Sequence, residues 1–423
     1  MTLLPRNAVL LAFEGPDAYS MVGGLGTRVT ELSAALAAAG VRTTLVFVGD
    51  PNAESVERPR ERLELRRWCQ SISKRHPGNV YDDELSKMRE YRETVPGFVI
   101  DAIVAPAAER DESVLVIAED WQTAPTAIAL DAGLRARGLR ARIVLAWNAN
   151  NTYGFDTIDW PALADAAKIA TVSRYMKFEL RARGVEARVI ANGVPQRLLD
   201  GAPAALMARV HAAFTCRRPL FVKVARFDQE KRWMQAVDAF AAIAGANADA
   251  MLVARGGREP YGDAVMARAR ELGLRVDRLS FESRDPADAI DAIAASRGQV
   301  VDVRSFVPED ALLALYRVAD AVLANSGREP FGLVGLEVMA VGGVAVTGST
   351  GEDYVEPFDN ALVCDTGDPR ELVARLEDLL GDRTLETRIR GRGPTTAARY
   401  AWPRILDAMA RKLMGFDDRL RDR

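Results

Sequence analysis

AVLLAFEGPDAYSMVGGLGTRVTELSAALAAAGVRTTLVFV, residues 8–48, is the stretch whose reading decides the fold. The apolar run Ala8 to Phe13 predicts a strand, and Gly23, Gly24 and Gly26 mark a turn. An amphipathic helix follows from about Thr27 to Ala39 and stops at Gly40. A second apolar run, Thr43 to Val48, completes a strand–helix–strand unit, whose natural outcome is a parallel pair with the helix packed across it.

Outward from that unit the alternation continues. Strands are predicted at Val114 to Ala118, Ile143 to Trp147 and Ile169 to Val172, with helical segments between them. After Asn192, Gly193 and Pro195 the pattern restarts, with strands at Leu220 to Ala225, Met251 to Ala254, Val300 to Val303, Ala321 to Ala324 and Val344 to Thr347. The expectation is an α/β chain of two doubly wound domains, 1–195 and 219–395. The Ala-, Pro- and Arg-biased stretch 196–218 is read as their link, and a final helix within 396–423 is expected to return to the first domain. About 60 residues from Asp50 to Asp111 separate consecutive predicted strands, far more than an ordinary crossover needs. With Trp68, Tyr81, Tyr91 and Phe98 among them they are read as an ordered, partly helical excursion. Its basic cluster Arg66, Arg67, Lys74 and Arg75 is read as a solvated helix face, because acidic residues lie close by.

Composition narrows the function. The 423 residues, 48% hydrophobic, are enough for two cores. Fifty-six basic against fifty-nine acidic residues, a net charge of −3, exclude the electrostatic footprint of a nucleic-acid binder, so any phosphate ligand must be held locally. Three scattered cysteines make neither a disulfide framework nor a zinc site and fit a reducing cytoplasm. Residues 1–11 carry no signal-peptide pattern, and no apolar stretch reaches the roughly 18 residues of a membrane span. A cytoplasmic protein with at most peripheral membrane contact is expected.

Three places carry chemistry. The glycines Gly23, Gly24 and Gly26 stand where backbone N–H groups at a helix start can meet a phosphate. They do not make a dinucleotide fingerprint, since Val29 stands where a GxGxxG pattern from Gly24 needs a small residue. That excludes an NAD-dependent oxidoreductase. Arg226 and Lys231 follow the strand Leu220 to Ala225, at the edge where parallel sheets bind ligands, and can neutralise a diphosphate. The strongest signal is Glu329-Pro330-Phe331-Gly332-Leu333 through Glu337: two glutamates across a loop-to-helix junction, with the N–H groups of Gly332 and Leu333 between them. Asn148, Asn150 and Asn151 at another strand end are candidates for an acceptor side, or for a turn made of asparagines for conformational reasons.

The runs GGLG (23–26), IANGVP (190–195), ARFDQEK (225–231) and EPFGLVGLEVMA (329–340), in this order along the chain, resemble the signature elements of glycosyltransferase family 4 and its glycogen and starch synthase relatives. That resemblance implies a GT-B fold, two Rossmann-like domains facing a cleft. It also implies a retaining, metal-independent transfer of a hexose from a nucleotide diphosphate sugar to a hydroxyl acceptor, by front-face displacement and with no cofactor. By residue, it implies that Arg226 and Lys231 bind the donor diphosphate and that Glu329 touches the donor sugar. Glu337 would bind the ribose, Phe331 to Leu333 would line the donor, and the Gly23 to Gly26 loop would close over phosphate and acceptor. The chain departs from the pattern at Glu119-Asp120-Trp121, where synthase-like relatives carry His-Asp-Trp. Glu119 either caps the helix beginning near Thr123 or contacts the donor sugar or supports charge at the anomeric centre; its place at the end of the strand Val114 to Ala118 favours the second, with Asp120 a catalytic candidate beside it. The alternatives left open are a non-catalytic binder of sugar nucleotides or glycans, and another GT-B enzyme such as a sugar-nucleotide epimerase.

Overall fold

The computed structural model describes residues 4–245 and 247–415. Residues 1–3 of the amino-terminal reading and 416–423 of the expected final helix lie outside the described residues. The chain divides into two compact units, residues 1–193 with 401–423 and residues 194–400.

The first unit is built on an eight-stranded sheet. Its strands are β1 (Asn7–Leu11), β2 (Arg42–Val48), β3 (Val56–Arg60), β4 (Leu63–Trp68), β5 (Val114–Glu119), β6 (Ile143–Ala149), β7 (Lys168–Thr171) and β8 (Arg188–Val189). They lie in the order β3-β4-β2-β1-β5-β6-β7-β8. Every pairing is parallel except β3 with β4. β1 and β5 are buried along their whole length, as strands covered on both faces must be. The helix Gly24–Ala38 crosses from β1 to β2 and buries Leu25, Val29, Leu32 and Leu36.

The excursion is more than helical. It contributes the antiparallel pair β3 and β4 to the sheet edge before the helices Gln70–Arg75 and Glu84–Phe98. The expected basic helix face does not form. Arg66 and Arg67 lie on β4, and Arg67 is buried in an ion pair with Asp17 and Glu57, while Lys74 and Arg75 end the short helix. The helix Trp402–Leu413 belongs to this unit. It buries Trp402, Ile405, Leu406, Met409 and Leu413, and Lys168 Nζ donates to its last carbonyl at 2.7 Å. Trp402 packs on Gly193 so closely that a Cβ there would stand 2.3 Å from the indole ring.

The second unit repeats the plan with seven parallel strands. These are β9 (Leu220–Val224), β10 (Met251–Arg255), β11 (Val276–Leu279), β12 (Val300–Val303), β13 (Ala321–Ala324), β14 (Ala345–Thr347) and β15 (Leu362–Val363), in the order β11-β12-β10-β9-β13-β14-β15. Its core gathers Phe221, Trp233, Phe240, Leu252, Leu323 and Val346. The stretch 196–218 is part of this unit and not a free link. Its helix Ala204–Phe214 buries Leu206, Val210 and Phe214, an apolar stripe of helical period. Residues 396–400 also stay with this unit rather than with the final helix.

Each sheet has one place where the winding reverses, between β1 and β5 in the first unit and between β9 and β13 in the second. In open parallel sheets the carboxyl ends of the strands at that point are where ligands bind.

Candidate active site

At the reversal point of the first unit the polar groups are turned on one another. Glu14, just beyond β1, aims its carboxylate at the start of the helix Gly24–Ala38. Its Oε2 accepts the backbone N–H of Val22 at 3.2 Å, Gly23 at 3.0 Å and Gly26 at 2.9 Å, and its Oε1 accepts the Tyr81 hydroxyl. The glycine loop therefore holds an anion, but the anion is the protein's own. The first helical residue has no side-chain cap, and Glu14 accepts the Gly26 N–H of the first turn together with two N–H groups of the preceding loop, next to the positive end of the helix dipole. Nor do these glycines supply left-handed backbone: Gly23 is extended at φ −156° and Gly24 opens the helix. Gly26 supplies room, since a Cβ there would lie 3.0 Å from Glu14 Oε2.

Glu119 ends β5, in register with Asn148 on β6, and its side chain is fully buried. Arg28, one turn into the helix Gly24–Ala38, brings Nε to 3.1 Å from Oε1 and 3.0 Å from Oε2. The side-chain amides of Asn148 (2.9 Å) and Asn150 (2.7 Å) also donate to Oε2, and Arg28 Nη1 reaches Asn192 Oδ1. The expectation that Glu119 offers an open acceptor to a sugar is corrected: both of its oxygens are engaged inside the unit. Asn148 and Asn150 orient this carboxylate, and the Asn151 amide does the same for Asp120 Oδ2.

Asp120 sits at φ 68° and ψ 172°, a region that only glycine enters freely and that costs about 1–3 kcal/mol. The surroundings hold it there. Its N–H donates to Asn148 O at 2.9 Å, its carbonyl accepts from Trp147 Nε1 at 2.9 Å and Thr123 Oγ1 at 2.8 Å, and its Oδ1 accepts the Asn150 N–H at 3.1 Å. Burial, together with the charges of Glu119 and Glu14, pushes its carboxyl up to about 8 against the pull of the Asn150 and Asn151 donors.

At the reversal point of the second unit the arrangement is more open. Arg226 follows β9 and is exposed, with no ion-pair partner among the described residues. Lys231, in the short turn Gln229–Lys231, brings Nζ to 2.6 Å from Glu329 Oε2, with about a fifth of each side chain exposed. Gly332 begins the helix Leu333–Ala340 at φ 80°, with half-buried Leu333 after it and half-buried Glu337 one turn further on. The side chain of Phe331, read as lining the donor, packs inward. It is 2% exposed, locked between Tyr354 and Tyr400 with ring centroids 5.7 and 6.1 Å away.

Beneath this pair lies Lys223 on β9, 1% exposed, with Nζ donating to Leu323 O at 3.0 Å and Asn325 Oδ1 at 2.6 Å. Asn325 in turn donates to Gln235 Oε1 at 2.9 Å. Burial first, then the like charge of Lys231, brings the Lys223 amine down to about 7, with Glu329 opposing. Glu352, after β14, is 7% exposed, and burial with the charge of Glu329 raises it to about 7. Glu14, Arg28, Asn192, Lys223 and Glu352 are site residues that motif reading did not find. Arg28 and Lys223 did leave a signal, each being a charge set into an apolar stripe or run.

If Arg28 and Glu119 are a buried ion pair, removing either partner strands the other. Glu119→Gln and Arg28→Met should each cost about 3–5 kcal/mol in urea unfolding, and the double variant clearly less than their sum. A Glu119→Gln protein as stable as wild type would refute this. For Lys223 the folded state binds fewer protons than the unfolded chain between pH about 7 and about 10.4. Stability contributed by the wild type relative to Lys223→Met should therefore rise with pH across that window, at up to about 1.4 kcal/mol per pH unit, and stay flat below it. Parallel stability curves for the two proteins would contradict a buried, deprotonating amine.

Residues 212–395 match the family model described as glycosyl transferases group 1, and residues 23–193 match that of a glycosyl transferase 4-like domain. A D-inositol 3-phosphate glycosyltransferase of Corynebacterium urealyticum is 34% identical over 97 residues, covering 22% of this chain and 23% of that protein. One from Salinispora arenicola is 33% identical over 121 residues, 28% and 27% of the two chains. The matched stretch thus spans about a quarter of each of these relatives. In fold, the chain is similar to a sucrose-phosphate synthase from Thermosynechococcus elongatus, with TM-score 0.65 and 21% identity over 96% of this chain and 98% of that one. It is also similar to Anabaena HepE in complex with UDP, with TM-score 0.64 and 14% identity over 97% and 99%. With a model matched on each of its two units, the chain belongs to the GT-B glycosyltransferases of family 4.

Proposed function

We propose that this protein is a retaining glycosyltransferase whose second unit binds a nucleoside diphosphate hexose and whose first unit selects a hydroxyl acceptor. The observation that carries the reading is the Lys231–Glu329 pair, at the reversal point of the second sheet, with exposed Arg226 close by in sequence and a helix start at Gly332. A departing nucleoside diphosphate develops negative charge. Fixed cations and N–H dipoles stabilise that charge most where they need not reorganise.

In this reading Glu329 holds Lys231 in place until the donor arrives. The pair is only partly buried, so the ammonium can turn one N–H to a diphosphate oxygen while keeping Glu329, whose carboxylate is then set beside the sugar. Arg226 adds a second cation, and Glu337 faces the nucleoside from the helix Leu333–Ala340. A UDP complex of a protein with the same fold supports the donor class. The curated relatives, named for an inositol phosphate acceptor, support a small polyhydroxylated acceptor. Three N–H groups of the glycine loop, those of Val22, Gly23 and Gly26, are already given to Glu14.

Thermal-shift titration with UDP, GDP and ADP sugars tests the donor site, since a ligand bound only to the folded state raises the melting temperature. With the donor so identified, Lys231→Ala and Arg226→Ala should each lower turnover on the order of 10²-fold with little change in melting temperature. Wild-type turnover in both variants would dismiss the diphosphate site. Activity is also expected to survive EDTA, because the cationic side chains take the leaving-group charge. Complete loss on chelation, restored by a single divalent ion, would replace this mechanism with a metal-assisted one.

A further inference from the structure

Three loops meet at the carboxyl edge of the second sheet: 225–231 after β9, 325–332 after β13 and 348–354 after β14. The last two are tied tightly together. Glu329 N–H donates to Thr350 Oγ1 at 2.8 Å, and that hydroxyl donates back to Glu329 O at 3.1 Å. Gly351 is pressed so closely on the other loop that a Cβ would stand 2.2 Å from Glu329 O and 2.3 Å from Pro330 O. The next residue, Glu352, is held by the N–H of Thr350, which donates to Oε2 at 3.0 Å. Its other oxygen, Oε1, is buried and has no hydrogen-bond partner.

A buried carboxyl oxygen without a partner costs about 1–3 kcal/mol or more, and such atoms are rare in folded proteins unless something outside the chain completes them. The position of this one is specific. Glu352 Cγ and Glu329 Cγ lie 2.7 and 3.4 Å from the one point where a Cβ on Gly332 would stand, so the two carboxylates flank the start of the helix Leu333–Ala340. Glu352 Oε1 itself lies 3.5 Å from where a Cβ on Gly348 would be, a place that also abuts Ser326 O at the end of β13. The open oxygen is thus on the edge that carries Glu329 and Lys231, and not in the apolar interior.

We propose that Glu352 is a second carboxyl contact for the transferred sugar, its Oε1 pairing with a sugar hydroxyl beside the one taken by Glu329, so that the site selects a neutral hexose over a uronic acid. This rests on the donor-site reading above. A hydroxyl suits either protonation state, since it donates to a carboxylate and accepts from a carboxylic acid, and the carboxyl is poised near neutrality. A sugar carboxylate would instead meet two acidic groups with no added cation, and like charges at such range are strongly disfavoured. Gly332 and Gly348 keep side chains out of this corner: a Cβ would stand 2.7 Å from Glu352 Cγ on the first and 3.5 Å from Glu352 Oε1 on the second.

The test is calorimetric binding by the full-length protein of UDP, UDP-glucose and UDP-glucuronate, with the GDP/GDP-mannose and ADP/ADP-glucose pairs alongside. Glu352→Leu should leave the Kd for the bare nucleotide within about twofold and weaken the nucleotide sugar at least tenfold. Glu352→Gln, which keeps a donor and an acceptor, should retain most of the sugar-dependent affinity. UDP-glucuronate should bind the wild type at least tenfold more weakly than UDP-glucose when uridine is the preferred base. An unchanged ratio of nucleotide-sugar to nucleotide Kd in Glu352→Leu overturns the proposal, as does equal weakening of both ligands or a preference for the uronic acid. A wild type that binds none of the nucleotides removes the donor-site reading itself, an outcome distinct from the loss of the Glu352 contact alone.

Discussion

A charge taken out of water must find an opposite charge and enough hydrogen bonds, or the fold that buries it is lost. Arg28 and Glu119 meet that condition only because four distant segments arrive together: the helix after the glycine loop, the end of β5, the asparagines at the end of β6, and Asn192 near the end of the unit's main run. The first unit is fixed around this contact. Asp120, the next residue, with its glycine-like backbone, is held by Asn148 and Asn150, the asparagines that also reach Glu119. Glu14 adds a third buried carboxylate, stabilised by three backbone N–H groups at a helix start in place of a cation.

The two units use the same architecture with opposite economy. At the reversal point of the first, Glu14, Glu119, Asp120 and the asparagine side chains mostly answer one another, which makes a rigid edge and leaves a ligand to meet preorganised surfaces. At the reversal point of the second, Arg226 extends without an ion-pair partner among the described residues, Lys231 and Glu329 pair in partial contact with solvent, and Glu352 keeps an oxygen uncommitted. The unit that leaves polar groups open is the one whose groups can exchange partners during a reaction. Lys223 supports this from below. Its bonds to Leu323 and Asn325 fix where β13 ends, and so where the loop carrying Glu329 begins.

Much of the fold was legible because strands buried on both faces read as continuous apolar runs. β1, β5, β9 and β13 fall within two residues of their sequence-read ends. β3 was not legible, for a physical reason: VERPR is an exposed edge strand, charged and broken by proline, and it pairs only with β4. The stretch 196–218 misled by composition, since its Ala, Pro and Arg content hid the stripe Leu206, Val210 and Phe214. At the site, motif order was enough to find Lys231, Glu329 and Gly332, which are close in space because they follow neighbouring strands. It could not show that Phe331 is packed inward, or that the glycine loop is already filled by Glu14. Both facts depend on partners brought by the rest of the fold, Tyr400 and Tyr81 among them.

The glutamate at position 119, where the resemblance leads one to expect histidine, is explained by Arg28. A neutral imidazole at the end of β5 would be a poor partner for a buried guanidinium, and a protonated one would repel it. A glutamate with Arg28 opposite neutralises the charge of both and can still accept from two asparagine amides. Glu119, Arg28 and the flanking asparagines thus form one set of mutual contacts. Both oxygens of Glu119 accept hydrogen bonds from within the first unit. In the second unit, by contrast, two carboxyl groups flank the helix start and one of them has an oxygen still open. The acidic group at this strand end of the first unit is held by its own neighbours, whereas Glu352 in the second keeps one oxygen without a hydrogen-bond partner.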